Sequence, residues 1–155
     1  MPIIKSAVDA DLPSILALLG HAGLPTVGVA EALSVFLVAA EGSEIVGVVG
    51  VEVCSNLYAL LRSTAVAEEW QGQGIGKKLV ERAIAVAEAD GIEVLYLLTT
   101  TAETYFPRFG FSRVNREDVP SEVQATEEFA SACPTSATVM TLCLTGSARE
   151  SVIES

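Results

Sequence analysis

Apolar positions along the chain change repeatedly between the two-residue period of a strand and the longer period of a helix. Residues 34–53 are the clearest strand pair, because two β-rich runs flank "EGS", whose Gly42 suits a tight turn. Residues 93–100 contain the continuous apolar run 94–98, which is typical of a strand buried on both faces. Together these patterns predict strands or strand pairs over residues 2–8, 34–53, 57–68, 93–100, 111–114 and 136–144.

Helical periods separate these strands. Ile75, Leu79, Ala83 and Val86 recur at helical spacing, and Gly91 lies where a helix-ending glycine belongs. The predicted helices cover residues 9–23, 27–33, 74–90 and 102–110, the last of them short and broken near Pro107. Antiparallel strands therefore come first and a β-α-β crossover follows, an order that predicts a mixed-sheet α/β domain.

The chain is long and apolar enough to form a compact core. It has 155 residues, of which 50% are hydrophobic and 19% charged. We expect one domain over residues 1–145 and a polar, flexible tail over residues 146–155. Charge or glycine interrupts each apolar run before it reaches the length of a membrane span, and the N-terminus turns acidic before a signal-peptide core forms. A cytoplasmic protein with no membrane partner is expected.

The charge balance argues against nucleic acid as a partner. Nine Lys and Arg residues against 20 Asp and Glu residues give a net charge of −11, whereas duplex binding requires a basic surface. Six of these nine cations form two groups, Lys77, Lys78 and Arg82 first and Arg108, Arg113 and Arg116 further on. In so acidic a chain these groups require an explanation, and a solvated helix face accounts for Lys78 and Arg82 but less well for Lys77.

Cysteine and histidine content limits the available chemistry. The three cysteines, Cys54, Cys133 and Cys143, lack metal-ligand spacing, and nothing in the sequence suggests secretion, so we expect reduced thiols and no metal. The single histidine, His21, leaves almost no material for a zinc site or a Ser-His-Asp triad.

A glycine-rich stretch, "EEWQGQGIGKKL" at residues 68–79, precedes the clearest helix. Bare backbone that runs into a helix N-terminus is suited to bind an anion such as a diphosphate. It is not a P-loop, because the first glycine of that motif would fall at Gln71 and Lys78 stands where the hydroxyl is needed. It is not a dinucleotide fingerprint either, because Lys77 stands where the third glycine is needed.

The pattern Gln71-x-x-Gly74-x-Gly76 resembles the pyrophosphate loop of the GNAT acetyltransferase superfamily. "STAVAEEWQGQGIGKKLVERA" resembles that family's strand, loop and helix, and "YFPRFGF" resembles its later short helix. The resemblance covers nearly the whole chain and implies the GNAT fold, a mixed, mostly antiparallel sheet of six to seven strands flanked by helices. It also implies acetyl-CoA as cosubstrate.

Carried over by position, the resemblance implies the following contacts. Backbone amides of the loop hold the CoA pyrophosphate, the end of the preceding strand pairs with the pantetheine arm, and Phe106 is a further cofactor contact. The implied cofactor residues are Ala65, Val66, Gln71, Gly72, Gln73, Gly74, Ile75, Gly76, Lys77 and Phe106. The implied chemistry is direct attack of an amine on acetyl-CoA in a ternary complex.

The sequence departs from the family pattern at the expected acid. A tyrosine usually lies four residues before the glycine of the Gly-Phe pair, and this chain has Phe106 there, with Tyr105 one residue earlier. One residue is a rotation of about 100° on a helix. Tyr105 is therefore a candidate catalytic acid, a substrate contact, or a packed side chain.

Polar residues in apolar strands supply the remaining candidates. Glu52 lies in "VVGVEV" and is the candidate general base, with an exposed edge position as the alternative. Arg62 lies in "LLRST", where it can hold a substrate carboxylate or pair with Glu52. Ser63 and Thr100 are secondary substrate contacts.

The second half of the chain resembles a narrower group. "YLLTTTAETYFPRFGFSRVNREDVP" with "CPTSATVM" is similar to amino-acid N-acetyltransferases of the N-acetylglutamate synthase type, and more closely to arsenic-resistance N-acetyltransferases. This similarity implies a small amino-acid-like amine as acceptor, with Ser136 as a substrate contact. The synthase type has basic residues before that serine, whereas Cys133, Pro134 and Thr135 precede it here.

Two alternatives to a small-molecule enzyme follow from the same residues. An acidic surface attracts basic peptides, which would make the chain a peptide or protein N-acetyltransferase. Phe106 at the acid position would fit an acetyl-CoA-binding sensor that does not catalyse. A homodimer formed through the last strands is compatible with the sequence.

Overall fold

The computed structural model describes residues 2–24, 26, 29, 36–100, 102–126, 129 and 137–144. Strands lie close to the predicted positions. They are β1 (Ile3–Ser6), β2 (Phe36–Glu41), β3 (Glu44–Val53), β4 (Tyr58–Val66), β5 (Val94–Thr99), β6 (Ser112–Arg113) and β7 (Thr138–Cys143). The β2–β3 hairpin turns at Gly42, whose φ of 62° is the left-handed conformation that the turn requires.

Helices confirm part of the sequence prediction. The α-helices are α1 (Leu12–His21), α2 (Ile75–Ala89) and α3 (Ser121–Gln124), and 3₁₀ turns cover Asp9–Asp11, Glu68–Trp70, Phe106–Phe109 and Arg116–Asp118. The short helix predicted over residues 102–110, with a break near Pro107, is present only as the 3₁₀ turn Phe106–Phe109. The predicted helix over 27–33 lies mostly outside the described residues. None of the described helices is long and apolar enough to cross a membrane.

The strands form one seven-stranded sheet in the order β1-β2-β3-β4-β5-β7-β6. β4 and β5 pair in parallel, whereas the pairs β1–β2, β2–β3, β5–β7 and β6–β7 are antiparallel. The parallel pair is the predicted β-α-β crossover, with α2 as its helix. The mixed, mostly antiparallel sheet is therefore confirmed.

The chain divides into two compact units, unit 1 (residues 1–52 and 61–84) and unit 2 (residues 53–60 and 85–155). In unit 1, Ile15 and Leu19 of α1 are fully buried with Phe36, Val38 and Val48 of the sheet. Helical spacing places both α1 residues on one face, which explains why that face is buried. The prediction of a single domain over residues 1–145 stays a prediction.

Gly47 allows α2 to lie close against β3 in unit 1. A Cβ atom at Gly47 would lie 2.8 Å from Cδ1 of Leu79 and 3.3 Å from Cγ2 of Ile75. A larger residue would push the first turns of α2 away from the strand. Gly47 therefore helps to position the glycine-rich loop that leads into α2.

Unit 2 has its own core. Its buried residues are Leu60, Tyr96, Val119, Val123, Phe129 and Val139. Tyr96 packs edge to face against Tyr58, with their ring centroids 6.2 Å apart. Burial raises the pKa of the Tyr96 hydroxyl above its usual value of 10.0, although a hydrogen bond with the Thr141 side chain opposes part of the shift.

Candidate active site

The glycine-rich loop of unit 1 starts from a fixed strand end. The N–H of Ala67 donates to the carbonyl of Val46 at 2.8 Å, and the side-chain amide of Gln71 donates to the carbonyl of Val66 at 3.0 Å. Gln71 therefore ties the beginning of the loop back to the last residue of β4. The sequence resemblance assigned Gln71 by its backbone, and the structure adds this side-chain contact.

Two glycines of the loop adopt the left-handed conformation. Gly72 has a φ of 82° and Gly74 a φ of 85°, and a Cβ atom at either position would meet nothing within 4 Å. Their requirement for glycine is therefore conformational and not steric. An exposed turn with open space above it can receive a ligand close to its backbone.

Helix α2 begins directly after this turn. The N–H of Lys78 donates to the carbonyl of Gly74 at 3.1 Å, which is the first intrahelical bond. The amides of Ile75, Gly76 and Lys77 precede that bond, and the first amides of a helix have no intrahelical acceptors. The helix dipole adds positive potential at the same end, so this end of α2 has the backbone geometry that suits an anion.

A buried arginine lies in β4 of the same unit. The Arg62 side chain is 2% exposed, and its Nη1 lies 3.1 Å from Oε1 of Glu52, whose side chain is 27% exposed. Its Nε donates to Oγ of Ser63 at 3.1 Å. Of the two interactions predicted for Arg62, pairing with Glu52 is therefore present.

Sequence reasoning missed two residues that pack against Arg62. Its guanidinium carbon lies 5.9 Å from the ring centroid of Phe36. A Cβ atom at Gly50 would lie 2.8 Å from Cε2 of Phe36 and 3.2 Å from Cγ of Arg62. An isolated glycine inside the predicted strand was the available signal for such a close approach.

Ser63 has an unusual backbone for a strand residue. Its φ is 60°, in the left-handed region that serine rarely adopts, and the residue is 8% exposed. Residues in such conformations persist where the surrounding structure holds them. The bond from Arg62 to its hydroxyl is one contact that fixes this position.

Tyr105 and Phe106 belong to unit 2 and differ in exposure. Phe106 is 8% exposed and packs against Phe111, with ring centroids 5.9 Å apart. Tyr105 is half-buried, and the guanidinium carbon of Arg108 lies 4.3 Å above its ring centroid. The chain therefore buries the phenyl ring and leaves part of the tyrosine accessible.

Two predicted substrate contacts remain, Thr100 and Ser136. Thr100 follows β5 and is exposed, whereas Ser136 lies outside the described residues. Cys54 is half-buried and Cys143 exposed, and neither takes part in a disulfide bond. Within the described part of the chain, no group of three or more His, Cys, Asp or Glu residues is arranged to hold a metal ion.

Comparison with known proteins shows the family. The acetyltransferase (GNAT) domain matches residues 32–113, which is just over half of the chain. The chain therefore belongs to the GNAT acetyltransferase family, as the glycine pattern and the mixed sheet indicate.

Two relatives carry acetyltransferase names. The uncharacterized N-acetyltransferase CT2212 of Chlorobaculum tepidum is 32% identical over 88 residues, 57% of this chain and 56% of that protein. The chain thus spans little more than half the length of that relative. The amino-acid acetyltransferase of Mycobacterium tuberculosis is 32% identical over 135 residues, 79% of this chain and 75% of that protein.

A solved structure shows the same fold. It is N-acetylglutamate synthase from Neisseria gonorrhoeae, complexed with coenzyme A and N-acetyl-glutamate. The TM-score is 0.81 and the identity 20%, over 93% of this chain and 35% of the synthase chain.

Proposed function

We propose that this GNAT acetyltransferase binds acetyl-CoA and transfers the acetyl group to the amine of a small amino-acid-like acceptor. The observation that carries the proposal is the turn at Gly72 and Gly74, which leads into the first amides of α2. Such a backbone suits the two negative phosphates of CoA. The cofactor in the synthase structure adds support from a protein of the same fold.

The loop and the preceding strand end hold the cofactor in this proposal. Amides from Gln71 to Lys77 bind the pyrophosphate, and the exposed side chain of Lys77 adds a positive charge beside it. The pantetheine arm pairs with the end of β4 at Ala65 and Val66. A backbone amide there is the proposed donor to the thioester carbonyl.

Transfer follows direct attack in a ternary complex. The neutral amine nitrogen forms a bond to the thioester carbon, and the negative charge moves to the carbonyl oxygen. One backbone donor to such an oxyanion contributes about 3 kcal/mol to the transition state. Collapse of the intermediate breaks the C–S bond, releases CoA as the thiolate, and leaves an amide and one proton to remove.

Glu52 is the proposed acceptor of that proton. Its side chain is 27% exposed, so a proton from an attacking amine can reach it directly or through one water. The 2% exposure of Arg62 supports a role in holding this carboxylate and does not favour direct capture of a substrate carboxylate. Tyr105 is the proposed acid for the thiolate, and the transfer does not require it because a thiolate is a tolerable leaving group.

The acceptor class rests on the relatives. The mycobacterial relative is an amino-acid acetyltransferase, and the synthase structure holds N-acetyl-glutamate. We therefore propose a small amine of amino-acid type, and an arsenic-bearing amino-acid analogue is the narrower candidate from the sequence resemblance.

The test is a transfer assay with acetyl-CoA. Glutamate, other amino acids, an amino-acid-like arsenical and a basic peptide are offered separately, and acetylated product is detected by mass because cysteine thiols disturb a CoA assay. We expect a small amine to be acetylated in preference to the peptide. Preference for the peptide would replace the proposal by peptide acetylation, and acetyl-CoA binding with no product from any amine would favour a sensor.

A further inference from the structure

Two neighbouring residues of β4, Arg62 and Ser63, are joined through their side chains. Nε of Arg62 donates to Oγ of Ser63 at 3.1 Å, and both residues are buried. Successive side chains of a regular strand point to opposite faces of the sheet. A bond between the side chains of adjacent residues is therefore not expected in a regular strand.

The backbone of Ser63 departs from the regular strand. Its φ of 60° lies in the left-handed region, where the Cβ atom comes close to the following carbonyl oxygen and strains the residue. An extended residue at this position would carry its hydroxyl to the face opposite Arg62. The left-handed backbone breaks that alternation, and backbone strain of this kind is concentrated at functional sites. Strain that is retained beside a candidate base points to a role for the serine hydroxyl itself.

Two polar contacts orient the guanidinium of Arg62. Nε donates to Ser63, and Nη1 lies 3.1 Å from Oε1 of Glu52. The guanidinium is planar, and its N–H groups point outward in a fixed fork. A bond at one nitrogen lets the group turn about that bond, whereas bonds at two nitrogens fix its direction. The Ser63 hydroxyl therefore helps to decide where Nη1 points.

Apolar neighbours guide the rest of the Arg62 side chain. Its guanidinium carbon lies 5.9 Å from the ring centroid of Phe36, and a Cβ atom at Gly50 would lie 3.2 Å from its Cγ. Apolar packing of this kind limits the path of the side chain but is not directional. The direction of the charged group is therefore set by its polar partners, and Ser63 is one of them.

We propose that Ser63 is a positioning residue, whose hydroxyl holds the guanidinium of Arg62 in the direction that presents Nη1 to Glu52. In this role Ser63 does not touch the substrate. It acts through Arg62, which keeps the Glu52 carboxylate in one orientation for the attacking amine. The effect on turnover rests on the proposed function, in which Glu52 accepts the proton, whereas the effect on the guanidinium does not.

Two variants separate the hydroxyl of Ser63 from its backbone. Ser63→Ala and Ser63→Gly both remove the hydrogen-bond acceptor, but glycine adopts a positive φ without strain and alanine does not. We therefore expect Ser63→Gly to unfold at a higher denaturant concentration than Ser63→Ala. We expect kcat to fall by about tenfold in both variants alike, with little change in KM, because both lose the same hydrogen bond to a charged group.

A double variant tests whether the hydroxyl acts through Arg62. In an Arg62→Ala protein, Ser63→Gly should not lower kcat further, because the group that the hydroxyl holds is already absent. A further loss of kcat as large as in the unmodified background would overturn the proposal. The matched control is Ser112→Ala, which removes an exposed hydroxyl from β6 and should leave kcat and the unfolding midpoint unchanged.

A measurement without turnover follows the guanidinium directly. By NMR of the isotope-labelled chain, the Nε–H signal of Arg62 is assigned by its absence from Arg62→Lys. We expect this N–H to be protected from hydrogen exchange in the unmodified protein and to lose that protection in Ser63→Gly. Equal protection in the two proteins would overturn the proposal. If no amine is acetylated, the proposed function fails, and this measurement alone decides the role of Ser63.

The kinetic results distinguish three roles for Ser63. An equal fall of kcat in the alanine and glycine variants supports positioning by the hydroxyl. Values of kcat that instead follow the unfolding midpoints, or a kcat of Ser63→Gly equal to that of the unmodified protein, would show a structural role. A rise in KM at constant kcat would identify a direct substrate contact. Each of the last two roles overturns the proposal.

Discussion

Arg62 and Glu52 form an ion pair in which the arginine side chain is buried and the glutamate side chain is partly exposed to solvent. Nη1 and Oε1 are 3.1 Å apart, and the side chains are 2% and 27% exposed respectively. The arginine can therefore act through the carboxylate that it orients, whereas a substrate would approach the glutamate first.

Arg62→Ala tests this relationship. Removal of the guanidinium leaves the Glu52 carboxylate without its buried donor, and we expect a loss of about 1–3 kcal/mol in the free energy of unfolding. We also expect kcat to fall while KM for the acceptor changes little, because the proposed base loses its orientation. Denaturant unfolding and steady-state measurements of kcat and KM check both effects.

The matched control for Arg62→Ala is Arg82→Ala on the exposed face of α2, which should leave both quantities nearly unchanged. Arg62→Lys should recover part of the activity, because a cation remains near Glu52. A rise in KM at constant kcat would instead identify Arg62 as a direct substrate contact.

Gly50→Ala should destabilise unit 1 by about 1–3 kcal/mol, because the added methyl group overpacks the contact between Phe36 and Arg62. The new Cβ atom would lie 2.8 Å from the phenyl ring. Gly20→Ala is the matched control: it meets nothing within 4 Å and lies in α1, where alanine should stabilise by about 0.5–1 kcal/mol. Equal unfolding midpoints for the two variants would contradict the packing argument.

Gly74→Ala tests the loop. Alanine at a φ of 85° is strained, and we expect a loss of about 1 kcal/mol in stability together with weaker CoA binding. Gly91→Ala is the matched control, since Gly91 has a φ of 83° and equally open surroundings outside the loop. Calorimetric titration with CoA should separate the two variants, and similar affinities for both would argue against the loop as the cofactor site.

The buried hydroxyl of Tyr96 should make the folded protein less stable at alkaline pH. Burial raises the pKa of its hydroxyl above 10.0, so the unfolded chain releases this proton first as pH rises. The contribution of Tyr96 is complete below about pH 9 and is lost as pH rises through the folded-state pKa. Denaturant unfolding between about pH 8 and pH 11 should show a shallower decline for Tyr96→Phe, and parallel curves would show that burial is not the cause.

Much of the fold could be predicted because its signals are local. The β2–β3 hairpin has a glycine turn between two apolar runs, and α2 has helical spacing along its whole length. The four-residue helix α3 was missed because one turn is too short to show a period. The short helix expected over residues 102–110 is a 3₁₀ turn at Phe106–Phe109, and the break expected near Pro107 reflects the missing N–H of proline.

Features of the candidate site could be predicted from the sequence only where they lie within one short segment. The loop from Gln71 to Lys77 is one contiguous segment, and its glycine spacing indicates an anion site directly. The left-handed backbone of Ser63 could not be predicted, because strand propensity alone indicates an extended residue there. The contact between Arg116 and Ala137 joins residues 21 positions apart, so no local pattern reveals it.

The bond from Gln71 to the carbonyl of Val66 has a consequence for binding kinetics. A loop that is already ordered loses little conformational freedom when a ligand arrives, so the entropic penalty falls on folding and not on association. The encounter then resembles docking onto a rigid surface, with a rate set by diffusion and charge. Gln71→Ala would move part of that ordering step into the binding event, which would lower the affinity for the ligand.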